Sequence, residues 1–116
     1  MTDLTKTIIE AIQDKKAKNI VSIDMSKFEG AICDTFVICN ADSTTQVSAI
    51  ADGVEDKVFT TLNERVWRTE GKDNGVWIVM DFGDVMVHIF QTESREFYAL
   101  DQLWSDLPIK HYDSFD

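Results

Sequence analysis

The 116-residue sequence has one proline, five glycines, two cysteines and no apolar run longer than the five residues Val76–Met80. Each scarcity excludes something. A bilayer-spanning helix requires about twenty consecutive apolar residues, and no stretch here approaches that. Cys33 and Cys39, with five residues between them, have no second Cys or His pair. They match neither a zinc signature nor a secreted disulfide framework, and free, buried thiols are expected. One proline, no repeat and no low-complexity tract leave nothing that reads as a linker. The N-terminus places Asp3 and Glu10 among Leu4, Ile8 and Ile9, unlike a basic secretory signal or an acid-poor transit peptide. One folded cytoplasmic domain is the expectation.

Positive charge is the other scarcity. Eleven Lys and Arg face 21 Asp and Glu, a net charge of −10, and after residue 72 only Arg95 and Lys110 oppose nine carboxylates. Binding nucleic acid directly requires cations that displace counterions from phosphates, so this chain is a poor candidate for it. A basic protein partner suits it better.

What is present is regular hydrophobic patterning at an apolar content of 44%, well above the range of disordered chains. Asp3 is placed to cap a first helix whose Leu4, Ile8, Ala11 and Ile12 share a face, with Lys15, Lys16 and Lys18 at its C-terminal end. Ile20–Met25 and Asp34–Cys39 read as strands joined through Lys27–Ile32. Ser43 followed by Gln46 has capping-box spacing, and Val47, Ile50, Ala51, Val54, Val58 and Leu62 keep helical period behind it. Val66–Thr69 is a short strand. Val76–Phe82 and Val85–Gln91 flank Gly83-Asp84, a two-residue hairpin signal. Thr92 is placed to cap a last helix over Glu93–Trp104, and Ser105–Asp116 is an acidic, aromatic tail. The whole predicts an α/β fold: one domain over residues 1–104, with a mixed sheet of five strands packed by helices, then the tail over 105–116.

A turn at Gly83-Asp84 fixes the hairpin register, opposing Asp81 to Met86, Met80 to Val87, Val79 to His88, Ile78 to Ile89 and Trp77 to Phe90. One face then collects Ile78, Met80, Phe82, Val85, Val87 and Ile89 and must face the helices. The other collects Trp77, Val79, Asp81, Met86, His88 and Phe90. Aromatics and methionine around a few polar anchors have the composition of an interface. The alternative is cover from within the domain, through Tyr98, Leu100, Leu103 and Trp104 of the last helix.

Catalytic readings are thin. His88 beside Asp81 and Asp84 is one imidazole, short of a metal set or an acid–base pair. A magnesium site for nucleotidyl transfer needs clustered carboxylates and a phosphate cradle; Asp81-x-x-Asp84 straddles the turn, no Walker loop accompanies it, and cations are scarce. No Gly-x-Ser-x-Gly elbow occurs, and neither cysteine has an evident base. Neither a metal nor a cofactor is expected.

Several segments together resemble one family along nearly the whole chain. They are Asp34-Thr35-Phe36-Val37-Ile38-Cys39, Ser43 with Gln46-Val47 and Ile50-Ala51-Asp52, Glu70-Gly71, the run from Gly75 to Phe90, Arg95-Glu96-Phe97-Tyr98-Ala99-Leu100, and Leu103-Trp104. In this order they are similar to the ribosomal silencing factor S, or Iojap-related, family. The resemblance implies a nucleotidyltransferase-like topology without transferase activity. It further implies docking on large-subunit ribosomal protein fourteen, which blocks joining of the small subunit and represses translation when nutrients are scarce, and frequent homodimers when free. By position it implies partner contacts at Trp77, Asp81, Asp84, Met86, His88 and Tyr98: aromatic and Met anchors beside carboxylates that meet basic partner residues. A divergent magnesium-dependent nucleotidyltransferase using Asp81 and Asp84 is the competing expectation. The segment from Ser105 onward extends past the motifs.

Overall fold

The computed structural model describes residues 2–31 and 33–114. Met1, Ile32 of the expected connection, and Phe115 and Asp116 of the expected tail lie outside the described residues. Helix α1 (Asp3–Asp14) is capped by Thr2, whose hydroxyl accepts from the Thr5 N–H, so Asp3 is the first helical residue and not the cap. Of the lysines expected at its C-terminal end, Lys15 is the C-cap and Lys16 follows it, while Lys18 opens β1 (Lys18–Asp24), where it pairs with Asp42 at 2.8 Å. Strand β2 (Thr35–Ala41) leads into α2 (Thr44–Leu62), capped by the Ser43 hydroxyl as its spacing predicts. Asn63 ends α2 in the left-handed region, its N–H returning to the Phe59 carbonyl.

Strand β3 (Arg68–Glu70) is shorter than expected, and β4 (Trp77–Asp81) and β5 (Val85–Gln91) form the hairpin. All five predicted pairs from Trp77↔Phe90 to Asp81↔Met86 are present. Gly83 has φ +89° and Asp84 does not share the positive region, which selects a turn of the II′ kind. The expected last helix is two pieces, α3 (Thr92–Tyr98) and α4 (Leu100–Leu103), because Ala99 between them adopts φ +47° and its N–H caps Arg95. Thr92 does not cap α3. Gln91 is the cap residue, without a side-chain bond, and the Thr92 hydroxyl turns to Asn40 and Asp42.

The sheet has six strands and not five. The segment set apart as a tail supplies β6 (Ile109–Tyr112), antiparallel to β1, giving the order β3-β4-β5-β2-β1-β6. Among the described residues only β2 and β5 run parallel. The helices α1 and α2 cover one face, and all six residues assigned to the apolar side of the hairpin are buried there with Ile8, Ile12, Val47, Ile50, Val54 and Val58. On the opposite face a smaller cluster forms around Val21, Ile23, Phe36, Ile38 and Phe90, closed by Leu100, Trp104 and Leu107. Two-sided burial explains why β2 reads as a near-continuous apolar run.

Candidate docking face

The second sheet face is where the candidate residues meet, and it divides by position along the hairpin. At the open end, Trp77 is half-buried. Its ring stacks on Phe90 at 5.0 Å between centroids and meets Tyr98, delivered by α3, at 4.7 Å. The Trp77 Nε1–H donates to His88 Nδ1 at 3.2 Å. That bond assigns the tautomer: Nδ1 accepts, so neutral His88 carries its proton on Nε2. His88 is 5% exposed, and burial pushes its pKa down from 6.5 to about 4. Its Nε2 finds no acceptor among the described residues, and the imidazole packs edge-on to Phe36 at 4.8 Å. His88 is therefore a neutral, interior group that orients Trp77.

At the turn end, Asp81 is half-buried and its Oδ1 accepts the Gly83 N–H at 2.8 Å, so this carboxylate braces its own hairpin. Met86 opposite it is half-buried against the second cluster. Asp84 is exposed; its main-chain oxygen accepts from the amides of Asp34 and Thr35 and ties the turn to β2. Trp77 thus touches both His88 and Tyr98, while Asp81 lies four residues from Trp77, about 13 Å along β4, with Met86 paired opposite it two residues from His88 on β5 and Asp84 in the turn beyond. The face has an aromatic end and an acidic end.

Cover from within the chain is partial. Leu100 and Trp104 close the smaller cluster as expected of them, but Leu103 is 67% exposed and covers nothing. Phe97, 83% exposed, and Tyr98, 50% exposed, stand edge to face at 5.2 Å beside Trp77. Phe97 is the surface residue that sequence reasoning did not single out for this face, whereas Leu103 was expected as cover and is exposed instead. The signal for Phe97 was the adjacent aromatic pair Phe97-Tyr98, of which a helix with one apolar stripe buries at most one member. Such an exposed apolar group beside carboxylates can hold a protein surface, and among the described residues no group of three or more His, Cys, Asp or Glu is placed to hold a metal ion. Burial raises the thiol pKa of Cys33 to about 11 and of Cys39 to about 12, which leaves both protonated and unreactive at neutral pH.

Comparison with known proteins follows the same line. The family model described as ribosomal silencing factor during starvation matches residues 1–115. A ribosomal silencing factor of Halalkalibacterium halodurans is 38% identical over 106 residues, covering 91% of this chain and 89% of its own. One from Bacillus subtilis is 36% identical over 110 residues, covering 95% and 92%. A crystal structure of a Chromobacterium violaceum protein superposes with a TM-score of 0.83 at 32% identity, over 89% of this chain and 84% of that one.

Proposed function

This chain belongs to the ribosomal silencing factor family, the Iojap-related proteins, and we propose that it docks in the cytoplasm on protein fourteen of the large ribosomal subunit and sterically blocks subunit joining. Its coarser role, a non-enzymatic factor in translation regulation, follows from the family. The observation that carries the finer reading is the aromatic group at the open end of the hairpin, where half-buried Trp77 rests on buried Phe90 and meets half-exposed Tyr98, continued by exposed Phe97, with Asp81 and Asp84 at the turn end. Aromatic anchors beside carboxylates fit a basic surface with an apolar centre, and steric exclusion needs nothing more than a stable lodging.

Cosedimentation with purified large subunits at moderate salt tests this, together with light scattering of subunit joining. The chain is expected to pellet with large subunits and to slow joining; unimpaired joining at saturating protein would sink the proposal. Tyr98→Ala, at a position whose side chain is half exposed, is expected to weaken binding by roughly thirtyfold, about 2 kcal/mol. Without ribosomes, exposed Phe97, Tyr98 and Leu103 suit a homodimer. Sedimentation velocity across a dilution series detects it, and added large subunits should dissociate it.

A further inference from the structure

Helix α3 carries Phe97 and Tyr98, the exposed aromatics of the docking face, yet none of its seven residues is buried. A helix this short is not stable alone, and its seat normally comes from an apolar stripe that α3 lacks. What it has is polar. At the C-terminal end of β2, Asn40 is 1% exposed, and its side-chain oxygen accepts from Arg95 Nη1 at 3.0 Å and from Asn19 Nδ2 at 3.2 Å. The Asn40 amide donates to the Thr92 hydroxyl at 2.9 Å, which itself donates to Asp42 at 2.8 Å. Arg95 Nη1 also donates to the main-chain oxygen of Asn19, held at φ +52° in the irregularity of β1.

We propose that Asn40 and Arg95 are positioning residues for docking: their clamp sets the seat of α3 so that Tyr98 closes on Trp77. This rests on the docking face proposed above. Thr92 pins the first residue of α3, and Arg95 pins a point one turn later. Two pinned points one turn apart fix both the axis and the rotation of a short helix, and three residues beyond Arg95 the chain presents Tyr98 to Trp77 at 4.7 Å. The buried amide serves this better than an apolar side chain, because its bonds have direction and an unpaired partner under cover is costly. The guanidinium is equally specific, since one nitrogen, Nη1, reaches both acceptors with N–H directions fixed in the guanidinium plane, where a lysine ammonium rotates freely.

Two measurements on the full chain test the clamp. In the free protein, proton NMR of the Tyr98 ring reports its stacking on Trp77; Arg95→Met is expected to move these resonances toward their unstructured positions while the core methyl signals of Ile8, Val54 and Ile89 stay in place. In cosedimentation, Arg95→Met is expected to weaken binding about tenfold in the wild-type background but less than twofold in Tyr98→Ala, because a residue acting through Tyr98 has nothing left to position. Losses that multiply in the double variant, or Tyr98 resonances that stay put, would overturn the assignment. Should Arg95→Met fail to fold, Arg95→Lys and Thr92→Val carry the same two readouts, each with a smaller loss. If the wild type does not bind large subunits, the docking proposal fails, and the NMR measurement still decides the clamp.

Discussion

His88 is held neutral in the folded chain, its pKa down at about 4 from 6.5, so between those values the unfolded chain binds more protons than the folded one. The stability tied to this group is complete above pH 6.5 and is lost as pH falls toward 4, on the order of 3 kcal/mol in all. Protonation would also place an Nδ1–H against the Trp77 Nε1–H that now points at it. Denaturant unfolding of wild type and His88→Gln at pH 7 and pH 4.5 isolates the effect, since the carboxylates contribute equally to both. The variant should lose about 2 to 3 kcal/mol less between the two pH values. Parallel losses would remove His88 as the cause. Two glycines offer a second comparison. At Gly83, φ +89°, an added Cβ would come within 2.8 Å of the ring of Trp67, an exposed side chain that can swing aside. The backbone strain alone then sets a cost of about 1–2 kcal/mol for Gly83→Ala. At Gly71, φ +90°, the Cβ would lie 2.0 Å from the Trp77 carbonyl oxygen, which is backbone and cannot yield. Gly71→Ala should therefore show the lower denaturation midpoint of the two.

Among the elements, β6 is the one whose removal tells most. Its Ile109 and Tyr112, with Leu107 before them, are half-buried against the two clusters, and the Tyr112 hydroxyl meets Ser22 at 2.9 Å. Stopping the chain after Ser105 removes these contacts, worth roughly 3–5 kcal/mol of apolar burial, and leaves β1 as an unpaired edge. Lower unfolding midpoints and concentration-dependent light scattering are expected. A truncated chain as stable as the full one would show that β6 is only ornamental to the sheet. The strand was not legible because Ile109-Lys110-His111-Tyr112 has no period-2 alternation; its pairing is a gift of the exposed β1 edge, a tertiary cause that propensity does not encode. Hidden for a similar reason was the break at Ala99. Alanine is the best helix former, and here the chain bends in the left-handed region so that Leu100 and Trp104 can reach the smaller cluster. By contrast the hairpin register was legible to the residue, since Gly83-Asp84 specifies the turn and the turn specifies every pair. The grouping of Trp77 with His88 and Tyr98 follows from that register plus α3, whereas the exposure of Phe97 and Leu103 depended on the unseen break.

For the whole molecule, charge sets how partners are found. A net charge of −10, with nine carboxylates after residue 72, surrounds the proposed face with negative potential that attracts a basic surface over about a Debye length. The association rate with large subunits should fall about tenfold between 50 and 300 mM salt while dissociation changes little. Stopped-flow mixing distinguishes this from a docking governed by apolar contact alone, in which the association rate stays flat. The sheet also has a history in time. Ser22 and Tyr112 touch across 90 residues of chain, and the central parallel pair joins β2 to a strand some fifty residues later. Pairings this distant form late and slowly. A nascent chain can therefore pair β1 with β2 early, but the outer edge of each stays open until β6 and β5 have been made, and the docking face proposed above cannot form before β4, β5 and α3 are all present.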